Sequence, residues 1–534
     1  MNLTKLLAGT LLLFAACTQA PLSGDDYTRF VDPKIGTGGH GHVFVGANVP
    51  FGMVQLGPTS IPQQWDWCSG YHESDSTVIG FSHTHLSGTG IGDLFDITVM
   101  PVTGGVTYAR GEEADPASGL WSYADRSREV ARPGYYSVPL TRYGILAEMT
   151  ATARVGLHRY TFPAAEDADI VIDLENGGCW DKATDTRIEA VGDRRIEGWR
   201  HSTGWAKDQR VYFSAEFSRP FAFERVGDHY ARASFATADG EQVLLKVALS
   251  PVSVEGARAN LAAELPGWDF DATAAAAGKA WNDELGKVRI ETTDDTARKI
   301  FYTALYHAMI APVSFCDVDG AYRGADGEVH ADPGHAAYTV FSLWDTYRAK
   351  MPLLTLTQPE RMTGIVGTML DIADEQGRLP VWHLWGNETD CMVGNPGIVV
   401  VADAIVKNIP GIDRERAFEA IRRTAMNPDR GNGLRMKYGY IPCDLFNEAV
   451  AYDMEYAVAD GAAARAAEVL GKAGDAEYFA ARSRSYRNYF DRSTGFIRGR
   501  DSRGDWRTPF NPFSSEHRAD DYCEGNAWQY TWLA

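Results

Sequence analysis

The hydrophobic pattern of this chain changes its period once, near residue 292. Between about residues 25 and 265, short alternating or β-branched runs such as ADIVIDL and EQVLLKVALS are separated by turn sequences such as ENGG and VGDRR. This period of two predicts many short strands and therefore an antiparallel β-sandwich. From Thr292 onward, the segment TTDDTARKIFYTALYHAMIAPV places Ile300, Ala304 and Ala308 on one helical face after a Thr and Asp cap. The chain is therefore predicted to be a multi-domain β + α protein.

The helical half predicts an α/α toroid. Several amphipathic segments follow one another, with loops rich in aromatic, Gly and Pro residues between them, and such sequential helix pairs pack as antiparallel neighbours. A chain of 534 residues is also long enough to bury two substantial cores. The predicted divisions are a leader at 1–20, a sandwich domain at 25–265, an Ala-rich linker helix region at 266–291 and the helical domain at 292–534.

The first residues, MNLTKLLAGTLLLFAACTQA, have the form of a secretory signal. One Lys precedes an apolar run that ends at Ala16, and small residues surround Cys17; the run is too short to span a membrane. FAAC is similar to a bacterial lipobox, in which Cys17 is lipidated, and cleavage after Ala20 is the alternative. The prediction is an exported bacterial protein, in the periplasm or at the outer-membrane surface, that contacts membrane only through a lipid anchor.

The net charge and the aromatic content of the chain indicate which classes of ligand it can bind. The formal net charge is −20, which repels nucleic-acid phosphates, so we expect no nucleic-acid partner. The 14 tryptophans must fill cores or line a site that stacks on ring-shaped ligands, and sugars are such ligands.

Two histidines in HTHLSG could form a metal site. His83 and His85 are two residues apart, so both imidazoles can lie on one side of a strand. The alternative is that they are structural histidines held by hydrogen bonds in the core. No CxxC or other metal-finger spacing is present among the cysteines that follow Cys17, which are expected to be mostly free thiols.

Loops of the helical half concentrate carboxylates and indoles. Trp344 and Asp345 lie at a helix start in FSLWDTYRAKMPLL, and Asn387 and Glu388 lie in the loop WGNETD. Loops of a helical toroid converge at one mouth, so these side chains can meet around one ligand. The alternatives are core packing for the Trp and an N-cap for Asp345.

Five stretches carry a family resemblance. VDPKIGTGGHGHVFVGANVPFGMVQLGP, GYHESDSTVIGFSHTHLSGTG, SLWDTYRAKMPLL, WGNETDCMVG and EGNAWQYTW resemble, in order, the motifs of glycoside hydrolase family 92, the calcium-dependent exo-acting α-mannosidases. The similarity extends from about Val31 to the last residue. It implies an N-terminal β-sandwich joined through helices to an (α/α)6 barrel, and removal of terminal, α-1,2-type mannose from glycans with inversion.

The resemblance also assigns roles. Glu524 of EGNAW matches the family's general acid, which must be protonated when it meets the glycosidic oxygen. Trp344 and Asp345 would hold hydroxyls of the departing mannose, with Asn387 and Glu388 at the same mouth. The sandwich domain's contribution to the leaving-group side is assigned to Trp67.

Family members continue beyond EGNAWQYTW. The resemblance therefore implies that this chain is C-terminally truncated, that its toroid is incomplete, and that the catalytic base and the calcium ligands lie beyond residue 534, with no metal ligand within the chain. On this basis, we expect the chain itself to be inactive. Glu516, Asp520 and Asp521, near the acid, are expected to be solvated surface charges. The alternatives are a non-catalytic surface glycan-binding lipoprotein, or another α/α-toroid glycosidase or phosphorylase.

Overall fold

The computed structural model of the chain describes residues 26–61, 64–115 and 117–534. The predicted leader and Cys17 lie outside these residues. Long strands extend as far as Ser250, and helices predominate from Val254 onward. The first helix packs on the sheet within the range predicted for the sandwich domain, and the predicted domain boundaries themselves stay predictions.

Two antiparallel sheets form the first domain. Its strands are β1 (Gly57–Thr59), β2 (Thr77–Val78), β3 (Gly80–Ser82), β4 (Thr98–Thr103), β5 (Ser122–Tyr123), β6 (Val130–Arg132), β7 (Tyr135–Leu140), β8 (Ile145–Ala151), β9 (Val155–Phe162), β10 (Ala165–Asp173), β11 (Lys182–Val191), β12 (Arg195–Thr203), β13 (Gln209–Phe217), β14 (Ala222–Val226), β15 (Tyr230–Thr237) and β16 (Glu241–Ser250). One large sheet has the order β1-β3-β4-β10-β15-β14 and the other β11-β12-β13-β16-β9-β8-β7-β6, while β2 and β5 pair in a separate two-stranded sheet. The predicted sandwich is confirmed.

Alternation along β13 shows why these segments become strands. Val211, Phe213 and Phe217 are fully buried in the core between the sheets, whereas Tyr212 and Glu216 between them face outward. This period of two matches the pleat, so one face of the strand can be apolar and the other polar.

Helices form the second domain and its connection to the first. They are α1 (Val254–Glu264), α2 (Phe270–Leu285), α3 (Asp295–Ala308), α4 (Leu343–Thr346), α5 (Lys350–Thr357), α6 (Pro359–Gln376), α7 (Pro396–Val406), α8 (Arg414–Met426), α9 (Asn432–Tyr438), α10 (Ala449–Val469), α11 (Ala473–Arg482) and α12 (Ala527–Tyr530). Asp294 caps α3 by accepting hydrogen bonds from two backbone N–H groups, as its sequence predicts. Short connections join α7 to α8 and α10 to α11, and these pairs pack together. The helical domain is confirmed, whereas the incompleteness of its ring stays a prediction.

Short strands lie between the helices, and one hairpin of these strands enters the sandwich domain. They are β17 (Val313–Ser314), β18 (Tyr322–Arg323), β19 (Val329–His330), β20 (Tyr338–Thr339), β21 (Phe341–Ser342), β22 (Trp382–Leu384), β23 (Asn387–Glu388), β24 (Phe490–Asp491) and β25 (Phe496–Ile497). Trp382, Leu384 and Trp385 belong to the apolar core of the sandwich, so the β22–β23 hairpin reaches from the helical domain into the first one. Among the helices that the structure describes, none combines the length and the apolar character needed to cross a membrane.

The histidines of HTHLSG are part of the sandwich core. His83 donates Nδ1–H to the carbonyl of Ile97 (2.6 Å), and its Nε2 lies 2.9 Å from Nε2 of His158. His158 must therefore donate to His83, while its Nδ1 accepts from the hydroxyl of Tyr160 at 2.8 Å. His85 donates to the carbonyl of Gln55 at 2.7 Å. These contacts support the alternative to a metal site, in which His83 and His85 are structural histidines held by hydrogen bonds in the core.

This histidine pair should make the sandwich labile to acid. Burial lowers the pKa of His83 from 6.5 to about 3 and that of His158 well below 6.5. The unfolded chain therefore binds more protons below pH 6.5, and unfolding becomes easier as the pH falls from about 6.5 toward 3, by about 1.4 kcal/mol per pH unit for each histidine. Urea unfolding between pH 7 and 4 measures this slope.

The variant His158→Phe should reduce the slope by about 1.4 kcal/mol per pH unit, because one of the two buried titrations is lost. His40→Gln is the matched control, because His40 is an exposed histidine outside the core. An unchanged slope in His158→Phe would show that the pair is not the source of acid lability.

Candidate active site

Three of the predicted residues line one cavity. Trp344, Asp345 and Glu524 surround a space of about 280 Å³ in the helical domain. The other lining residues are Arg348, Glu455, Cys523, Gly525, Gln529, Tyr530 and Leu533. We call this space the Glu524 cavity. Helix α4, helix α10 and the segment that ends in α12 each contribute to its wall.

Glu524 begins the sequence EGNAWQY, whose conformation is fixed by hydrogen bonds within the segment. Asn526 caps α12 by accepting from the N–H of Gln529, and the Gln529 side chain accepts from the N–H of Asn526, which is a capping box. A Cβ on Gly525 would lie 2.9 Å from Oε1 of Gln529, so a larger residue there would displace the side chain that completes the capping box. The hydroxyl of Tyr530 donates to the carbonyl of Cys523 at 2.8 Å.

Glu524 itself has a left-handed backbone, with φ of 47°. Residues other than glycine rarely adopt this conformation, which costs of order 1 kcal/mol or more and is found more often at functional sites. The side chain is exposed to solvent beside the cavity. The contacts of the flanking residues hold this conformation in place.

Asp345 lines the same cavity from α4. Its pKa is raised because the carboxyl group is desolvated by the surrounding protein, although a hydrogen bond from the Ser342 hydroxyl and the positive charge of Lys350 act in the opposite direction. Burial lowers the pKa of Lys350 to about 8, and the negative charge of Asp345 limits that shift. A carboxylate in this setting can accept hydrogen bonds from sugar hydroxyls.

Glu455 on α10 organises the wall that carries Trp344. The buried carboxylate accepts hydrogen bonds from the indole N–H of Trp344 (3.0 Å), the hydroxyl of Tyr347 (2.6 Å) and the guanidinium of Arg348 (2.5 Å). The negative charge of Glu455 also adds to burial in raising the pKa of Tyr347. With three donors in place, Glu455 positions its neighbours.

Glu455 was not among the residues predicted from the sequence. A signal was present: α10 is rich in Ala, yet it contains the buried carboxylates Asp453, Glu455 and Asp460. Buried carboxylates need partners, and Asp453 and Asp460 find theirs in Arg435, with N–O distances of 2.6 Å each. Acidic residues within an Ala-rich, buried helix therefore indicate side chains that bind partners on other elements.

Asn387 and Glu388 lie apart from the residues that line the Glu524 cavity. Asn387 accepts from the backbone N–H of Asp208 at 3.1 Å and donates to the carbonyl of Asp208 at 3.0 Å, which ties the hairpin to the sandwich domain. Glu388 accepts from the N–H groups of Val381 and Trp382. Their predicted role in substrate binding stays a prediction, and a variant can decide it.

We expect Asn387→Ala to act on stability. Loss of both bonds to Asp208, which are half-buried, should lower the free energy of unfolding by about 1–3 kcal/mol, because each hydrogen bond contributes about 0.5–1.5 kcal/mol. Affinity for mannose should stay within about twofold of wild type, measured by calorimetric titration. Asn488→Ala is a control, since Asn488 donates to a carbonyl within the helical domain. A large loss of mannose affinity with unchanged stability would instead support direct substrate binding.

Two other predicted positions are explained by local contacts. Trp67 donates its indole N–H to Asp75 at 2.9 Å and stacks on His72, with ring centroids 4.5 Å apart; it is not among the residues that line the Glu524 cavity. Asp521, expected at the surface, is buried against Arg507 at 2.8 Å, and burial raises its pKa to about 6. The prediction that Asp521 is a solvated surface charge was wrong. It was based on three acidic residues that lie close together in the sequence, a pattern that is typical of exposed segments.

The described residues provide no complete metal site. Within 26–61, 64–115 and 117–534, no group of three or more His, Cys, Asp or Glu side chains is arranged to hold a metal ion. The described side chains of these types therefore do not form a calcium site by themselves.

Family models match almost the whole chain. The N-terminal domain of glycosyl hydrolase family 92 matches residues 30–250, and the catalytic domain of the same family matches residues 256–534. The chain belongs to glycoside hydrolase family 92. The family assignment made from the motifs is confirmed, and the residues of the Glu524 cavity all lie in the region of the catalytic domain.

Similar proteins include solved members of family 92. A family 92 α-mannosidase from Bacteroides thetaiotaomicron, solved in complex with mannoimidazole, is 39% identical with a TM-score of 0.92, and the match covers 95% of this chain and 70% of that one. An inverting mannosidase of the family from the same organism is 28% identical with a TM-score of 0.86, and covers 95% and 71%. An uncharacterized secreted glycosidase from Arthroderma benhamiae is 26% identical, over 89% of this chain and 64% of its own length. The chain thus spans less than two thirds of that curated relative.

Proposed function

We propose that this family 92 chain belongs to an exo-acting α-mannosidase that removes terminal mannose from glycans, with α-1,2-linked mannose as the preferred substrate. The observation that carries the proposal is the shared cavity of Glu524, Asp345 and Trp344. Support comes from the similarity to a family 92 α-mannosidase bound to mannoimidazole, a mannose-like ligand. The cavity of about 280 Å³ suits one sugar ring, and most of its lining residues carry polar groups that can hydrogen-bond to hydroxyls.

Glu524 is the general acid in this proposal. Its carboxyl group lies beside the cavity on a segment fixed by the capping box of α12. Donation of its proton to the glycosidic oxygen lets the leaving sugar depart as a neutral alcohol. An inverting reaction also needs a base on the opposite face of the ring to activate water. Glu455 does not suit that role, because it already accepts three hydrogen bonds.

Asp345 and Trp344 bind the terminal mannose, the residue that the enzyme removes from the glycan. The carboxylate of Asp345 accepts hydrogen bonds from ring hydroxyls, and the indole of Trp344 offers an apolar face to the ring. Glu455 fixes the orientation of that indole through its N–H. Orientation held in advance lowers the entropy lost when the sugar binds.

The proposal extends to cofactor and location. The enzyme is exported, in line with the signal-like leader and with a relative described as secreted; lipidation at Cys17 is part of the proposal. Calcium dependence follows from the family resemblance and is tested by adding a chelator and then restoring calcium. Loss and recovery of activity are expected.

The test is release of mannose from α-1,2-mannobiose. The product of the complete gene that encodes this chain is incubated with the disaccharide, and free mannose is measured by chromatography. We expect mannose release from the non-reducing end only, so that a trisaccharide is shortened one residue at a time. Release from internal linkages, or none in the presence of calcium, would contradict the proposal.

A further inference from the structure

A cavity of about 440 Å³ lies on the helical domain, and none of the described residues lines both this cavity and the Glu524 cavity. Its walls are the end of α9, the end of α11 and the 3-10 turn Ser485–Asn488 that follows α11. We call this space the Arg484 cavity. Of the described residues that line it, three are arginines and none is Asp or Glu, although the net charge of the chain is −20. A local excess of positive charge in an acidic protein needs an explanation.

Two of the three arginines have structural partners. Arg435 is buried and donates to Asp453 and Asp460, with N–O distances of 2.6 Å each. Arg482 pairs with Asp460 at 3.1 Å. Both arginines lie in the last turns of their helices, where the helix dipole also favours positive charge. Their two charges are therefore balanced by two buried carboxylates of α10.

Arg484 has no comparable partner. Its side chain is exposed at the cavity, and its guanidinium forms no ion pair or hydrogen bond with any residue that the structure describes. Arg487, three residues later, is also exposed and has no ion pair within the described part of the chain. A guanidinium is always charged, and its N–H groups match the oxygens of a phosphate group in pairs. The free donors of Arg484 therefore suit a phosphate ligand.

The rest of the wall suits a sugar ring. Tyr478 is exposed on α11 and lines the cavity. Its ring lies 5.6 Å from the guanidinium carbon of Arg482, and its hydroxyl lies 3.6 Å from Sδ of Met426, so the ring is held in place. Met436 on α9 adds exposed apolar surface to the same cavity. An aromatic ring beside apolar surface is a platform on which a sugar can stack.

We propose that the Arg484 cavity binds a sugar that carries a phosphate group. Arg484 binds two phosphate oxygens, and Arg487 adds positive charge nearby. Tyr478 and Met436 contact the sugar ring. A neutral sugar would leave the charge of Arg484 without a partner, which is why the ligand is assigned a phosphate. The site is separate from the proposed mannosidase function, so a failed test would leave that proposal intact.

Three ligands separate the parts of this inference: inorganic phosphate, glucose and glucose 6-phosphate. Each is titrated calorimetrically into the complete gene product in calcium-free buffer of low ionic strength, because salt screens exposed charges. The proteins are wild type, Arg484→Gln, Tyr478→Ala and the control Arg503→Gln. Arg503 is an exposed arginine that does not line the cavity. The side chains of Arg484 and Tyr478 are exposed, so neither replacement should affect folding.

We expect wild type to bind glucose 6-phosphate about three- to tenfold more tightly than inorganic phosphate, because contact with Tyr478 adds to the phosphate contact. Glucose alone should not bind measurably. Arg484→Gln should weaken both phosphate ligands by about tenfold or more, since charge-assisted hydrogen bonds are lost. Tyr478→Ala should lower the affinity for glucose 6-phosphate to that for inorganic phosphate. Arg503→Gln should match wild type.

Three results would overturn the inference. Equal affinity of wild type for the two phosphate ligands would mean that the cavity takes free phosphate and not a sugar. Unchanged binding in Arg484→Gln would place the phosphate elsewhere on the protein. Wild-type protein that binds neither phosphate ligand would mean that the Arg484 cavity is not a phosphate site.

Discussion

Glu524→Gln is expected to lower kcat for α-1,2-mannobiose by about 10²–10⁴, the usual contribution of general acid catalysis. Glutamine keeps the size of the side chain but cannot donate the proton that a sugar alkoxide needs to leave. An aryl α-mannoside with an acidic phenol needs little protonation, so its kcat should fall by about tenfold or less. Steady-state kinetics of the complete gene product with both substrates measure the difference.

Glu516→Gln is the matched control for this change, because Glu516 is an exposed carboxylate eight residues earlier in the same segment. It should leave both substrates unaffected. Equal losses of kcat for the disaccharide and the aryl mannoside in Glu524→Gln would mean that Glu524 does not act on the leaving group. Unchanged kinetics would exclude it from the active site.

The second large effect is expected at Glu455. Glu455→Ala removes the acceptor for the Tyr347 hydroxyl and the Trp344 indole, and two donors that lose their partner cost about 2–5 kcal/mol in the free energy of unfolding. Because Trp344 is then free to turn, affinity for mannose should fall by about tenfold or more. Urea unfolding and calorimetric titration follow the two effects separately.

A second variant separates positioning from folding. Trp344→Phe keeps an aromatic ring in the cavity but removes the N–H that Glu455 orients, so it should weaken mannose binding with a smaller loss of stability than Glu455→Ala. Glu468→Ala, which removes an exposed carboxylate of the same helix α10, is the control. If Glu455→Ala destabilised the chain while mannose affinity stayed at the wild-type value, Glu455 would have no positioning role.

Local sequence patterns predicted the architecture well. The alternation along β13 and the cap at Asp294 depend on neighbouring residues only, so they can be recognised without knowledge of the fold. The motifs identified the family and predicted that Glu524, Trp344 and Asp345 belong to one site. The structure brings these three residues into one cavity. Short-range periodicity alone would not have connected residues 180 positions apart.

Positions decided by tertiary partners could not be predicted in the same way. Glu455 depends on donors about 110 residues away, and Asn387 depends on the backbone of Asp208, 179 residues away. In each case the residue type can be read from the sequence, but the partner is known only once the chain is folded.

The most direct test of the account is the anomeric form of the first sugar released. Proton NMR can follow α-1,2-mannobiose with the complete gene product and calcium, before the anomers of mannose equilibrate. The account predicts β-mannose as the first product, because a single displacement by water inverts the anomeric carbon. Initial release of α-mannose would contradict it, since retention needs a covalent intermediate on a nucleophilic carboxylate.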